Sequence, residues 1–580
     1  MFPSQTSLIP ITVALAKFTA ANGFGGLYPY WYLGSTPVKY LTGPVVPGVL
    51  VGLHQLLPNF SLFDLSYFVI LTSYFISAIG WGILSGRLSG SRMVGWWVGG
   101  LTFILPWHWV SGFGLGEVSA VAASALTPWV LIAFVARSLA PIKKRSTNLN
   151  SKFETIYPSC SGLRQHHTLE ESWWRFASWL RHVFDWGQAS VLPLLALALL
   201  LLTNTTAAIP AIVGLLILAI SDRPRFLTES KYQISNIKRA ALVILAAWVL
   251  STFWYGVDYW QTIFGAPSIG GKSVVGAFVT LLNFLRGFVP VILAVVLVFW
   301  GVKPKSLYDK FVLAWLTIFG SLTLFRFMAD PDFWMDWTAW MGEVEIGVAL
   351  LLGHFLARSS NASVLRFDVR RTSDTLALRA RLGLTRSKAS SPRNESSGGV
   401  YPERESKGHV FGYFKTAIQR LSMFGIWSLV IVVLLIGGWF VAWQQRDFWL
   451  PRKSIEETAE YRIASFLNEN VKSDETVFLS GTTAFWLDSF YDIKQVRGGA
   501  DQSSLHPAWR EAAWELRQGS STQKAEIWLK DLGINYVVVH TNKSLEFYHD
   551  FKNTGKFERS SILRKFYDER GDVIYKVEDN

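Results

Sequence analysis

Residues 63–84 read FDLSYFVILTSYFISAIGWGIL, an apolar stretch whose only charge is Asp64. A bilayer core about 30 Å thick takes roughly 17–25 apolar residues as one helix, so this stretch is predicted to cross a membrane. Comparable segments recur near 93–108, 117–138, 186–203, 206–221, 239–256, 288–303, 310–326, 342–358 and 424–443. Segments 8–21 and 43–57 are interrupted by Lys17 and His54 and flanked by Gly and Pro, so spans and interfacial helices are equal readings. The 580 residues are 50% apolar, 15% aromatic and only 17% charged, against about 25% charged in a soluble domain. That composition excludes disorder and a single soluble core. The expected architecture is an α-helical polytopic membrane protein with about 10–12 transmembrane helices.

The formal charge of +13 does not point to nucleic acid, because the basic residues sit mostly in loops between apolar segments and no RNA- or DNA-binding motif accompanies them. They set orientation instead. Placing loops 85–92, 139–185, 222–239, 303–310 and 358–423 on the cytoplasmic side gathers 30 basic residues there. The opposite loops hold Lys17, Lys39, Lys272 and Arg286. The positive-inside rule then places 444–580, and the N-terminus, outside a cell membrane. The single Cys160 excludes a disulfide framework and a cysteine metal site, and suits a prokaryote.

The chain divides into an outer-face juxtamembrane segment (1–62), a transmembrane helical domain (63–358), a basic, Ser/Arg/Gly-rich cytoplasmic loop predicted to be disordered (359–423), a last span (424–443) and an extracytoplasmic α/β domain (444–580). The basic loop suits anionic lipid, as does the amphipathic SWWRFASWLRHVFDW at 172–186. In the C-terminal domain, 454–469 is predicted helical, with Ser454 as N-cap and Glu457 completing a capping box. TVFLSG (476–481) and NYVVVH (535–540) read as strands, 508–518 and 521–533 as helices, and 556–577 as a hairpin turning at 569–572.

Three regions hold groups able to do chemistry. GGLYPYWYLGSTPVKYLTGPVVP (25–47) offers Tyr28, Tyr30 and Trp31 as a platform for sugar or lipid, and an aromatic belt accounts for the same residues equally well. ADPDFWMDWTAWMGEVE (329–345) holds Asp330 and Asp332, a D-x-D able to bind Mg or Mn as a divalent cation. Glu343 and Glu345 follow, where the next span begins and a buried carboxylate is costly. QVRGGADQ (495–502) is a polar glycine loop that could hold sugar or phosphate through backbone N–H groups, with Arg497, Asp501 and His506 at hand; a structural turn is the competing reading. Glu117 and the Thr203–Thr206 hairpin add polar groups at outer helix ends. No Ser-His-Asp, Walker or zinc pattern is present.

This arrangement resembles the GT-C superfamily of integral membrane glycosyltransferases, and among them the prokaryotic membrane proteins described as 6-pyruvoyl-tetrahydropterin synthase-related. The resemblance rests on 26–57, 114–134, TNTTAAIP (203–210), STFWYGVDYW (251–260), QVRGGADQSSLHP (495–507) and LKDLGINYVVVH (529–540). It implies a GT-C-like fold and inverting transfer from a polyprenyl-phosphate-linked sugar donor to an acceptor on the outer face. A carboxylate would serve as general base, with the phosphate neutralised by a cation or Arg. The defining acid of that family follows its first transmembrane helix. Here the chain starts where that first loop should end, so an N-terminal helix and its acid are expected to be missing, and no catalytic residue transfers. Glu117, Asp330 and Asp332 remain as candidates. A transporter of lipid-linked glycans and a non-catalytic assembly protein are the alternatives.

Overall fold

The computed structural model describes residues 2–35, 43–135, 191–221, 230–257, 259, 289–328, 340–358, seven residues within 436–446, and 454–499, 506 and 508–578. The basic loop 359–423, the amphipathic stretch 172–186, Cys160, Asp330, Asp332 and Asp501 lie outside them.

Among the described residues, four helices are long and apolar enough to cross a membrane: α3 (Leu62–Ser89), α6 (Val118–Val135), α11 (Leu307–Met328, apolar through Leu324) and α12 (Trp340–Arg358). Shorter apolar helices join them: α2 (Val45–Leu56), α4 (Arg92–Phe103), α7 (Val191–Thr203), α8 (Ala208–Ser221) and α10 (Val289–Val302). The longer but more polar α9 spans Ser230–Ser251. Their common core centres on Trp81, Leu131, Leu215 and Trp315. Within a membrane, apolar side chains gain little by leaving lipid, so close backbone approach carries the association. Accordingly α3 and α4 meet at glycines: a Cβ added at Gly95 would lie 2.7 Å from the Gly82 carbonyl oxygen. Ser61 caps α3, its Oγ accepting from the Asp64 N–H at 3.1 Å. Asn204 Oδ1 does the same between α7 and α8, taking the N–H groups of Thr206 and Ala207.

The first helix, α1 (Ile9–Asn22), is apolar and buried on nearly every side. A helix apolar all round belongs in a core. Here it is packed among α2, α3 and the C-terminal domain.

That domain contains α13 (Ala459–Asn470), β1 (Thr476–Phe478), α14 (Thr483–Phe490), β2 (Lys494–Gln495), α15 (Trp509–Arg517), α16 (Thr522–Asp531), β3 (Ile534–His540), α17 (Gly555–Glu558), β4 (Leu563–Glu569) and β5 (Asp572–Val577). The strands lie in the order β2-β1-β3-β5-β4. The first three are parallel, and β5 pairs antiparallel with both β3 and β4. The β4–β5 turn falls at Arg570-Gly571, both at positive φ. Two details depart from expectation. The helix of 454–469 begins only at Ala459, because Thr458 takes the N-cap and accepts from the Tyr461 N–H; Ser454 bonds the nearby Glu456 carboxylate and caps nothing. Residues 555–558 form the short α17 before the hairpin starts.

Domain and bundle are joined by an extension of the sheet. Gln495 N–H donates to the Tyr30 carbonyl at 2.8 Å, and Leu33 N–H donates to the Gln495 carbonyl at 3.3 Å, so residues 30–33 line the free edge of β2. Trp31 is wholly buried, and Gly498 and Gly499 make room for it: an added Cβ at either would come within 2.5 Å of the indole. Tyr32 Oη donates to the Gly498 carbonyl and its ring meets Trp509 at 5.0 Å. Tyr28 hydrogen-bonds Asp488 on α14, while Lys17 on α1 donates to the Phe490 carbonyl at 3.2 Å. Trp486 stacks on Phe63 at the first turn of α3. The end of the bundle that carries Leu62, Glu117, Thr203 and Trp340 is therefore the domain side.

Two measurements test this junction. Gly498→Ala should lower stability by about 1–3 kcal/mol through overpacking, and much less in a Trp31→Leu background, where the clash is gone; equal penalties in both backgrounds would contradict the contact. Burial pushes Asp488 up to about 8 from an ordinary 3.8. Folding thus binds an extra proton between those values, so its contribution is full below about pH 4 and lost as pH rises toward 8. Thermal unfolding of the solubilised chain should show that decline, and Asp488→Asn should flatten it.

Candidate functional site

On the domain side, α4 stops at Phe103 and the chain continues through α5 (Pro106–Trp109) and a wider π-type turn at Val110–Gly114 before α6 starts. Such turns concentrate at functional sites. This one is walled by rings: Trp109 stacks on Phe113 at 5.2 Å, Phe113 on Tyr67 at 5.5 Å, and Tyr74 lies against both Trp109 and Phe113. The Tyr74 hydroxyl donates to the His108 carbonyl, as does Ser111 Oγ at 3.0 Å.

Glu345, in the second turn of α12, reaches across to this segment. Its Oε1 accepts the Trp107 N–H at 3.0 Å, and its Oε2 stands 3.2 Å from His108 Nδ1. A carboxylate only accepts hydrogen bonds, so it selects the Nδ1–H form of the imidazole and leaves the Nε2 lone pair as a proton acceptor. Both side chains are mostly buried, 9% and 16% exposed. Two residues earlier, Glu343 is 5% exposed, and its Oε2 has no partner among the described residues. Its backbone carbonyl accepts the Trp315 Nε1–H at 2.9 Å. Glu117 lies half-buried just beyond the π-type turn, its N–H bonded to the Ser111 carbonyl. His108, Glu117, Glu343 and Glu345 thus occupy one end of the bundle, beneath the C-terminal domain.

The facing surface of that domain is the carboxyl edge of its parallel strands. The connection leaving β1 runs to one side, to β2, and the connection leaving β3 runs to the other, toward β4 and β5; ligands of open α/β sheets bind at such a switch point. Three polar groupings fill it. Asp550 Oδ2 accepts from Arg497 at 3.2 Å, from Arg517 at 3.1 Å, and from Ser480. Burial opposes its ionisation, but the Ser480 hydroxyl and both guanidinium groups outweigh that and hold its carboxyl below the ordinary range. Glu546 Oε1 accepts from the Thr482 N–H at 2.7 Å beside Gly481, whose φ is +72°. Glu460 takes the Thr482 hydroxyl at 2.6 Å, and burial, with the neighbouring Glu546 charge, raises its affinity for a proton. Finally, Asp572, His540 and Thr483 form a carboxylate–imidazole–hydroxyl chain, at 2.8 and 3.0 Å. No member of that chain is more than 2% exposed. Substrate has no access to the Thr483 oxygen, so the chain is a strut between β3, β5 and α14.

The residues singled out in sequence fall as follows. Tyr28 and Trp31 are buried in the junction and Tyr30 is half-buried beside them. Arg497 lies at the carboxyl edge, 7% exposed. His506 is half-buried, and its carbonyl accepts the Trp509 N–H. Asp330, Asp332 and Asp501 lie outside the described residues, and among those described no three His, Cys, Asp or Glu side chains gather in a metal-binding set. In sequence, His108 reads as no more than the end of the apolar segment 93–108. Its signal was PWHW directly after a run too short to span.

No protein-family model matches the chain, and no curated protein matches it either. Among solved structures, it is similar to the oligosaccharyltransferase AglB of Archaeoglobus fulgidus in complex with an inhibitory peptide and a dolichol-phosphate, at 13% identity and a TM-score of 0.42. The same enzyme tethered to an acceptor peptide gives 12% and 0.47. The alignments cover 93% of this chain, which spans 65% of the length of that enzyme. The arabinofuranosyltransferase AftD from Mycobacteria is similar at 16% identity and a TM-score of 0.48, covering all of this chain and 38% of its own. Likeness at this level assigns the chain to no family.

Proposed function

We propose that this protein is a membrane glycosyltransferase of the GT-C kind, related to the 6-pyruvoyl-tetrahydropterin synthase-related proteins it resembles in sequence. It would act on the outer face of a cell membrane, taking a sugar from a polyprenyl-phosphate donor to a cell-envelope acceptor. The observation that carries this reading is the His108–Glu345 pair: an imidazole oriented by a carboxylate, set among aromatic rings at the domain-side ends of membrane helices.

In this reading the acceptor hydroxyl attacks the anomeric carbon as its proton passes to His108 Nε2, with Glu345 stabilising the imidazolium. The bond from the anomeric carbon to the phosphate oxygen breaks, its electron pair leaves with the polyprenyl phosphate, and configuration inverts. Arg497 and Arg517 on the facing edge, or a divalent cation held by Asp330 and Asp332, would neutralise the leaving group. Glu117 and Glu343 would border the acceptor, with Tyr30, Asp501 and His506 as further sugar contacts.

Purified protein in vesicles, supplied with polyprenyl-phosphate hexose or pentose donors and envelope glycan acceptors, should form a glycosylated product. His108→Ala should reduce its rate by about 100-fold or more, and Glu345→Gln should lower kcat with little change in KM for the donor. Wild-type turnover in both variants would overturn the assignment. The burial of Tyr28 and Trp31 in the junction favours a second reading, a non-catalytic protein of glycan assembly or transport. Absence of product from the wild-type protein across those donors would select it.

A further inference from the structure

The loop after β3, residues 541–551, is fastened from within. Glu546 is fully buried: its Oε1 accepts the Thr482 N–H at 2.7 Å and its Oε2 the His549 N–H at 2.8 Å, while its own N–H donates to Ser544 Oγ at 2.9 Å. Ser544 in turn is tied to Asp572 and to the Thr541 carbonyl. With Glu546 turned inward, its neighbours point outward: Leu545 is 61% exposed, Phe547 51% and Tyr548 47%. Phe547 and Tyr548 meet edge to face at 5.3 Å and form one apolar knuckle. Exposed apolar groups held on a rigid loop mark an interaction surface.

The position of the knuckle names its partner. Gln5 Nε2 donates to the Leu545 carbonyl at 3.0 Å, and the Gln5 carbonyl accepts from Trp486 Nε1 at 3.2 Å. Trp486 stacks on Phe63, and Phe2 packs against Phe63 at 5.4 Å. Phe63 lies in the first turn of the membrane-spanning α3, so Leu545 stands one residue's reach from the chain that borders the membrane edge. The same rim carries exposed Leu56, Leu57 and Phe60 just before α3. A Leu, a Phe and a Tyr with Lys543 close by is the composition of a membrane-interface anchor, with rings at headgroup depth and the cation toward phosphate.

We propose that Leu545, Phe547 and Tyr548 insert into the lipid leaflet on the domain side, giving the C-terminal domain a second hold on the membrane beside its junction with α1 and α3. This surface is separate from the His108–Glu345 pair and stands whether or not the chain transfers sugar.

The test uses the full chain in phosphatidylcholine–phosphatidylglycerol nanodiscs. The one native cysteine makes a Cys160→Ser background simple to label. Nitroxides placed through Leu545→Cys and Phe547→Cys should collide severalfold more with dissolved oxygen than with a water-soluble nickel complex. A label through Asp474→Cys, exposed at the opposite end of the parallel strands, should show the reverse. Wild-type protein irradiated with a photoactivatable phospholipid should carry adducts within 541–551. Labels at 545 and 547 that behave like the one at 474, with adducts confined to the helical bundle, would overturn the proposal and leave the knuckle for a protein partner.

Discussion

The architecture depends on one contact, the seating of the Trp31 indole against the Gly498–Gly499 backbone. A two-residue strand such as β2 has little hold on a sheet edge, and the loop 28–35 has no regular structure beyond the Tyr28–Ser35 bridge. Together they satisfy each other's backbone groups, and burial of a large apolar side chain contributes about 1.5–3 kcal/mol. Here Tyr28, Trp31 and Tyr32 are all buried, alongside Trp254 and Tyr255 from the far end of α9. Tyr30 pairing with β2 turns the carboxyl edge of the sheet toward the bundle, together with Lys17 on the Phe490 carbonyl and Trp486 on Phe63.

Two sets of polar groups lie on the two sides of this junction. The membrane side offers an imidazole and three carboxyl groups in a low-dielectric setting; the domain side offers two guanidinium groups on one carboxylate. The proposed transfer would draw on both sets, with the imidazole taking a proton and the guanidinium groups meeting a phosphate.

Much of this was readable in the sequence. The apolar segments gave α3, α6, α11 and α12, and the patterns at 508–518, 521–533 and 535–540 gave α15, α16 and β3, because hydrophobic periodicity is local. The tyrosine-rich stretch 25–47 and the glycine loop 495–502 each stand out locally, but a contact between residues 31 and 498 leaves no local trace. Ser454 heads the S-x-x-E pattern and Thr458 does not, yet Thr458 takes the cap, because only the fold shows which N–H groups need an acceptor. The short β2 and α14 lacked the length to register. His108 was hidden for a similar reason, since its meaning comes from Glu345, more than two hundred residues away.

The strap can be measured directly by hydrogen exchange on the full chain in nanodiscs. Leu33 and Gln495 amides are bonded across the junction, so peptides covering 28–35 and 493–499 should exchange together and as slowly as β3. Exchange of 28–35 within seconds, while β3 stays protected, would mean that the domain is not held on the bundle by this contact, and would contradict the account.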